Sequence, residues 1–387
     1  MTPAARHAGA MEVLDLWLSG LPLEAAWQRW YRGARYAGSS DRAAIRDLVY
    51  AAVRRRRSAA ALGGGAATGR GLILGLLRAE GVDPEGVFTG TGHAPPPLTD
   101  AERAGPGALT RAERLDVPDW LLLRIEAALG PRTEDALAAM QVRADVHLRV
   151  NTRRADRAAL VARLVDAGLE AAPHGEVDTA ITIAGDARKL ARTGAVDEGL
   201  AELQDAASQA VVARLAERPA ARVLDYCAGG GGKALAFADL LDAEIVAHDI
   251  APARMADLPA RAARAGQQIA TRGTSELAGE AFDLVFCDAP CSGSGSWRRD
   301  PEGKWRLTPA RLDELVAVQA GVLAQAHRLV APGGRLGYAT CSVLAEENEA
   351  QAAAFLAAHA GWRQCDALRL VPGDVGDGFF LAVFERV

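Results

Sequence analysis

The second half of the chain alternates short apolar runs with segments of helical spacing. Five such runs occur after residue 206, and helical segments such as residues 309–329 lie between them. The runs are residues 222–226, 244–248, 268–271, 283–287 and 335–340. Strands that alternate with helices build a mostly parallel sheet with helices on both faces. The pattern therefore predicts a doubly wound, Rossmann-like α/β domain over residues 206–387, whose last strand, residues 378–386, closes an antiparallel hairpin.

The residues before this domain predict three further segments. In residues 1–85, apolar residues such as Met11, Leu14 and Leu18 recur at helical spacing, which predicts an all-α domain. Residues 86–116 are rich in glycine and proline and predict a linker. Residues 117–205 contain strand, helix and strand patterns, which predict a small α+β subdomain that precedes the sheet.

Charge is distributed unevenly along the chain. The formal net charge is -5, which by itself argues against a nucleic-acid partner. Up to residue 80, however, the chain carries twelve arginines and six acids. This basic head predicts an RNA-facing surface, and the alternative is a solvated, arginine-rich helix face. The first twenty residues predict an amphipathic helix and no secretory signal, and no apolar stretch is long enough to cross a bilayer, so we expect a cytoplasmic protein without a membrane partner.

The cysteine pattern does not suggest disulfides or zinc. The chain has five cysteines, all in its last part, and it contains no CxxC pair, so neither a disulfide framework nor a metal site is expected. Cys287 and Cys365 fit the role of small buried apolar residues. Cys291 and Cys341 fit that role poorly, because both follow apolar runs and have Pro, Ser or Thr as neighbours. We therefore interpret these two as chemical residues.

A glycine-rich loop follows the first strand of the predicted sheet and indicates a nucleotide-like ligand. A phosphate-binding P-loop would need glycine at Cys227 and Ser or Thr at Ala234, so that class is excluded. A dinucleotide and S-adenosylmethionine both remain possible. Asp249, twenty residues after Gly229, is placed to bind ribose hydroxyls in either case. The loop consists of Cys227, Ala228, Gly229, Gly230, Gly231, Gly232 and Lys233.

Two motifs decide between these classes. Asp288-Ala-Pro-Cys291-Ser-Gly follows one apolar run, and Thr-Cys341-Ser follows another, so both cysteines are expected at the carboxyl edge of the sheet. At this point the chain resembles the Sun/RsmB-type family of RNA (cytosine-5) methyltransferases. The matching stretches are DYCAGGGGK, FDLVFCDAPCSGSGSWRRDPEGKW, LVAPGGRLGYATCSVLAEENE, DGFFLAVFERV, QDAASQ and LRVNT, which together span roughly residues 117–387. The head, with SDRAAIRDLVYAAVRRRR, is similar to the NusB-like helical domain of the ribosomal RNA enzymes.

The resemblance implies an activity and a role for each motif residue. It implies that Cys341 is the nucleophile, that Cys291 assists product release and that Asp288 contacts the cytosine and the methionine end of the cofactor. It also implies that S-adenosyl-L-methionine binds to the 227–233 loop, Asp249 and Arg254. RNA is the implied partner, with ribosomal RNA favoured over transfer RNA, and we expect a monomer.

The chain departs from the family pattern at two places. The family loop usually reads Cys-Ala-Ala-Pro-Gly-Gly-Lys, and Gly229 and Gly230 stand here in place of Ala-Pro. The acid that family members carry after the third strand, near the adenine, is absent, and Arg272-Gly-Thr274 occupies that position.

Three other functions fit the sequence less well. A DNA cytosine methyltransferase would use the Pro-Cys cysteine, Cys291, as nucleophile and would carry a target-recognition domain, which the sequence does not suggest. A non-catalytic RNA-binding assembly factor would not need Lys233, Asp288 and both cysteines. A small-molecule methyltransferase or a dehydrogenase would not need the basic head.

Overall fold

A computed structural model describes all 387 residues, and these fall into two compact units. We call the first, made of Met1–Glu126, Gly130–Arg143 and Trp297–Arg306, the helical unit. We call the second, made of Ala127–Leu129, Ala144–Ser296 and Leu307–Val387, the sheet unit. None of the helices combines the length and the apolarity that crossing a membrane requires.

The secondary structure comprises sixteen α-helices and eleven strands. The helices are α1 (Pro3–Leu18), α2 (Leu23–Gly33), α3 (Ser39–Arg54), α4 (Arg56–Leu62), α5 (Gly69–Ala79), α6 (Asp100–Arg103), α7 (Arg111–Arg114), α8 (Asp119–Leu129), α9 (Thr133–Met140), α10 (Arg157–Asp166), α11 (Ala206–Ala216), α12 (Gly232–Leu240), α13 (Leu258–Ala265), α14 (Pro301–Arg306), α15 (Pro309–Ala326) and α16 (Glu349–Ala358). The strands are β1 (Val146–Val150), β2 (Glu170–Pro173), β3 (Ala180–Ala184), β4 (Ala201–Leu203), β5 (Arg222–Asp225), β6 (Glu244–His248), β7 (Ala270–Arg272), β8 (Phe282–Asp288), β9 (Val330–Thr340), β10 (Trp362–Leu370) and β11 (Phe379–Arg386).

The helical unit is built around the apolar faces of α1, α2, α3 and α5. Leu14, Ile45 and Leu72 are fully buried at its centre, as the helical spacing of the head requires. Residues 86–116 are not separate from this core, since Phe88 and Leu98 belong to it. The division of the chain at residues 85, 116 and 205 stays a prediction from the sequence.

A segment distant in sequence completes the helical unit. The Trp305 indole N–H donates to the Val53 carbonyl at 2.7 Å, and Lys304 Nζ donates to the Arg54 carbonyl at 3.1 Å. Arg54 in turn donates to the Arg298 carbonyl at 2.7 Å. Lys304 is 1% exposed, and its burial lowers the pKa of its ammonium group to about 8, although the buried carboxyl of Asp116 acts in the opposite direction. Residues 297–306 are therefore an integral part of the helical core.

The sheet unit contains a small antiparallel sheet of strand order β2-β3-β1-β4. Leu148 and Ile181 of the sheet and Leu164 of α10 form a fully buried cluster. The α+β character predicted for this region is present, and β1, α10 and β3 lie where the sequence predicts them. Strands β2 and β4 were not predicted.

The main sheet has the order β10-β11-β9-β8-β5-β6-β7, in which β9, β8, β5, β6 and β7 are mutually parallel. Strand β11 pairs antiparallel with β9 and with β10, which forms the C-terminal hairpin. The predicted fold class, a Rossmann-like doubly wound α/β domain with a terminal hairpin, is confirmed. Because β6 and β7 extend to one side of β5 and β8 and β9 to the other, the carboxyl ends of β5 and β8 flank the point at which ligands bind in such sheets.

Candidate active site

The glycine loop connects β5 to α12 through backbone conformations that favour glycine. Gly229 and Gly231 have φ of 52° and 80°. A Cβ on Gly231 would lie 2.3 Å from a methyl carbon of Leu258, so only glycine fits there. Gly231 is also the N-cap of α12, which leaves the first peptide N–H groups of this helix directed into the loop. The loop thus offers close backbone approach and donors for an anionic group.

The acid at the end of β6 is tied to this loop. Asp249 is 2% exposed, and one carboxylate oxygen accepts the Gly229 N–H at 2.9 Å and lies 3.1 Å from the Arg254 guanidinium. Its other oxygen accepts the Ala251 N–H at 2.9 Å. Arg254 itself is exposed. The carboxylate is therefore fixed beside the loop, where the sequence predicts a ribose contact.

A further acid at this site was not found from the sequence. Asp225 is the last residue of β5 and is 1% exposed, and its Oδ1 has no hydrogen-bond partner. Burial raises the pKa of this carboxyl to about 7, although the charge of Lys233 acts in the opposite direction. A buried carboxylate oxygen without a partner is costly, so an ammonium group bound beside the loop would be stabilised by it. In the sequence, Asp225 could have been recognised from its position directly before Tyr226 and Cys227.

Lys233 and Asp288 form an ion pair between α12 and the end of β8. Lys233 Nζ lies 2.6 Å from Asp288 Oδ2, and both side chains are largely buried. Burial alone would lower the pKa of Lys233, but the charges of Asp288, Asp225 and Cys341 outweigh it and raise the pKa. The structure thus brings together the lysine of the glycine loop and the aspartate of the DAPC motif.

The two cysteines of the motifs are in contact. Cys291 Sγ and Cys341 Sγ lie 3.4 Å apart, and both residues are half-buried. They meet because β8 and β9 are parallel neighbours, with Asp288 opposite Ala339 in register, so both chains turn at the same edge. The hydrogen bond with Cys341, then burial and then the charge of Glu347 raise the pKa of the Cys291 thiol well above its ordinary value. The Cys291 thiol is therefore held in its protonated form.

The remaining cysteines lie outside this pair. Cys287 is fully buried, as expected, and burial raises its pKa. Cys227 is half-buried in the glycine loop, and burial raises its pKa as well. The interpretation of Cys365 as a buried residue was wrong: it is exposed, because β10 forms the outer edge of the sheet.

Thr274, which follows β7 where the family carries an acid, contacts His248 at the end of β6. His248 Nδ1 lies 2.7 Å from the Tyr226 carbonyl, which can only accept, so Nδ1 carries the hydrogen. His248 Nε2 lies 2.9 Å from the Thr274 hydroxyl. The position that lacks the family's acid therefore holds a hydrogen-bonded threonine.

Known proteins resemble this chain over most of its length. A family model described as 16S rRNA methyltransferase RsmB/F matches residues 212–385, and one described as the ferredoxin-like domain of RsmF/B-like methyltransferases matches residues 117–188. Ribosomal RNA small subunit methyltransferase B of Sodalis glossinidius is 34% identical over 309 residues, which cover 74% of this chain and 70% of that protein. The protein of the same name from Xylella fastidiosa is 37% identical over 292 residues, which cover 68% of this chain and 67% of that protein.

The fold is also shared with a solved structure. The crystal structure of PH0851 superimposes with a TM-score of 0.79 at 25% identity and covers 100% of this chain and 99% of its own. The chain therefore belongs to the RsmB/F family of 16S ribosomal RNA methyltransferases, and its cofactor is S-adenosyl-L-methionine.

Proposed function

We propose that this protein methylates carbon 5 of a cytosine in 16S ribosomal RNA through a covalent bond between Cys341 and the base. The observation that carries the proposal is the contact between Cys341 and Cys291, beside the ion pair of Lys233 and Asp288. The names of the matching relatives support ribosomal RNA as the substrate.

The proposed chemistry starts at the sulfur of Cys341. Carbon 5 of cytosine is a weak nucleophile, so direct methyl transfer is slow. When the Cys341 thiolate adds to carbon 6, an S–C bond forms and the electron pair of the 5,6 double bond makes carbon 5 nucleophilic, which divides one difficult step into easier ones. S-adenosyl-L-methionine supplies the methyl group that carbon 5 takes. A base then takes the carbon 5 proton, the C–H electron pair re-forms the 5,6 double bond, and the S–C bond breaks and returns its electron pair to Cys341.

The neighbours of Cys341 have separate proposed roles. Cys291, which keeps its proton, hydrogen-bonds the Cys341 sulfur and assists departure of the product. Asp288, held by Lys233 at 2.6 Å, accepts a hydrogen bond from the amino group of the cytosine and so orients the ring. A cytosine that lies within a helix must be unstacked before it can reach these groups.

The residues present fit the cofactor. The 227–233 loop would approach its methionine end, and the unpartnered oxygen of Asp225 would pair with the ammonium group there. Asp249, fixed by the Gly229 N–H, would bind the ribose hydroxyls, and Arg254 would hold the Asp249 carboxylate in place.

The proposal is tested with the full chain, the cofactor and protein-free 16S ribosomal RNA. Bisulfite sequencing should reveal a cytosine that becomes resistant to conversion with the native protein and stays convertible with Cys341→Ala. Binding of the cofactor to Cys341→Ala, measured by calorimetry, should be nearly unchanged. If only transfer RNA is methylated, transfer RNA replaces 16S ribosomal RNA as the proposed substrate. Full activity of Cys341→Ala would overturn the mechanism.

A further inference from the structure

A buried carboxylate lies behind the cysteine pair and has no role in the chemistry described so far. Glu347 is 0% exposed. Its Oε1 accepts the Ser292 N–H at 2.8 Å and the Gln319 side-chain amide at 3.0 Å. Its Oε2 accepts the hydroxyls of Ser292 and Ser342. All four partners are neutral donors, so the carboxylate is stabilised in the interior by hydrogen bonds alone.

The donors to Glu347 come from both cysteine loops. Ser292 follows Cys291 directly and Ser342 follows Cys341 directly, so one carboxylate holds the residue next to each sulfur. Because each loop has left its strand at this point, the strand pairing does not by itself fix the separation of the sulfurs. Glu347 therefore acts as a clamp between the two loops.

Side chains outside the two loops hold Glu347 itself in position. Gln319 of α15 is fully buried, and its side-chain amide also donates to the Pro290 carbonyl at 2.9 Å, one residue before Cys291. The Tyr338 hydroxyl donates to the Glu347 main-chain carbonyl at 2.6 Å. A carboxylate fixed at its side chain and its backbone can transmit a defined position to the residues that it binds.

A second set of contacts closes the same two loops. Ser294 Oγ lies 2.9 Å from Ser342 Oγ and accepts the Val343 N–H at 2.9 Å. The Gly295 N–H donates to the Cys341 carbonyl at 2.9 Å. These bonds keep the loops together when Glu347 is altered, so a substitution there should shift the sulfurs and leave the fold intact.

We propose that Glu347 is a positioning residue, which holds Cys291 in hydrogen-bond contact with Cys341 and opposes a negative charge on Cys291. The proposal rests on the proposed function for the use of this pair, but the charge that Cys291 carries is a property of the free protein. Two effects of Glu347 contribute. Its hydrogen bonds set the separation of the loops, and its negative charge opposes a second charge on Cys291, the sulfur whose loop it binds twice.

Two variants separate the effect of the Glu347 hydrogen bonds from the effect of its charge. In Glu347→Gln the amide oxygen can still accept from the Ser292 N–H, and the serine hydroxyls can turn to accept from the amide nitrogen, so the clamp remains but the charge is lost. In Glu347→Ala both are lost. Asp239→Asn is the matched control, because Asp239 is also a buried carboxylate of the sheet unit but accepts from Thr152 and Arg153.

The first measurement is alkylation of the free protein by iodoacetamide, which reacts with thiolates, followed by mass spectrometry of the two cysteines. The native protein and Asp239→Asn should be modified mainly at Cys341. In Glu347→Gln the share of modification at Cys291 should rise roughly tenfold, as for a pKa lowered by one unit. An unchanged ratio in Glu347→Gln would overturn the proposal, whether or not Glu347→Ala folds.

The second measurement is steady-state methylation of RNA. Glu347→Ala should lose on the order of a hundredfold in kcat with little change in the KM for the cofactor, and Glu347→Gln should recover most of that loss because the geometry is kept. Equal losses in both variants would contradict a role for the clamp. If the native protein transfers no methyl group but the alkylation ratio still responds to Glu347→Gln, the proposed function fails and the positioning role stands.

Discussion

Replacing Lys304 with methionine removes a buried ammonium group from the helical unit. The side chain is 1% exposed and makes a hydrogen bond to the Arg54 carbonyl at 3.1 Å. Burial lowers its pKa from 10.5 to about 8. Methionine has a similar length and no charge, so it retains the packing and removes the titration.

The sign and size of the pH effect on stability follow from the different pKa of Lys304 in the folded and unfolded chain. Between the folded pKa of about 8 and the ordinary value of 10.5, the unfolded chain binds more protons than the folded chain. Stability must therefore rise with pH through this window, and the cost of the buried charge is fully present below it. Integrated from about pH 7.5 to 9.5, the free energy of unfolding should increase by about 2 kcal/mol through Lys304 alone.

The assay is urea unfolding followed by tryptophan fluorescence, which reports on the helical unit because six of the seven tryptophans lie there. The native protein and Lys304→Met are compared at several pH values across that window. The difference between their unfolding free energies should change by about 2 kcal/mol in the direction that favours the native protein at high pH. Parallel pH dependences would refute the reasoning, whatever the absolute stability of the variant.

Two further predictions concern catalysis and RNA binding. With RNA and cofactor present, Cys291→Ala should accumulate a thiol-linked protein–RNA species that migrates slowly on denaturing gels. Cys341→Ala should not form this species. If it appears with Cys341→Ala instead, the nucleophile and release roles of the two cysteines are reversed. Replacing the exposed Arg29, Arg32 and Arg35 together with glutamine should weaken RNA binding and reduce the slope of log affinity against log salt by up to about 2 to 3, and an unchanged slope would show that these arginines do not meet phosphates.

The main sheet could be predicted because its signal is local. Strands β5, β6 and β8 are almost wholly buried, so each appears in the sequence as a continuous apolar run. Once the strands are parallel, residues that follow them must share an edge. This is why Cys291 and Cys341 could be placed together, whereas their 3.4 Å contact depends on loops that the sequence pattern does not describe.

The small strands and strand ends carry too little signal. Strand β4 has three residues and β2 has the sequence Glu-Ala-Ala-Pro, and neither is rich in β-branched or aromatic residues. The third parallel strand was predicted at residues 268–271 but spans Ala270–Arg272. The sequence also does not show which strand lies at the edge of the sheet. The exposure of Cys365 on β10 could therefore not be deduced from its apolar neighbours.

The remaining surprises arise from long-range pairing. The partners of Lys304 and Trp305 are main-chain carbonyls of Arg54 and Val53, which any residue type could offer. Asp225 was overlooked for a related reason, since its importance lies in a hydrogen-bond partner that is absent and not in a motif that is present.

The late segment of the helical unit has a consequence for the order in which the chain matures during translation. Residues 1–143 leave the ribosome well before Trp297–Arg306 exist. Until then the Trp17 indole and the Leu23 N–H lack the Glu302 carboxylate that accepts from both. The core of the N-terminal helices therefore stays incomplete while the first strands of the main sheet are synthesised. Completion of the helical core is thus coupled in time to synthesis of residues 297–306, which begin six residues after Cys291.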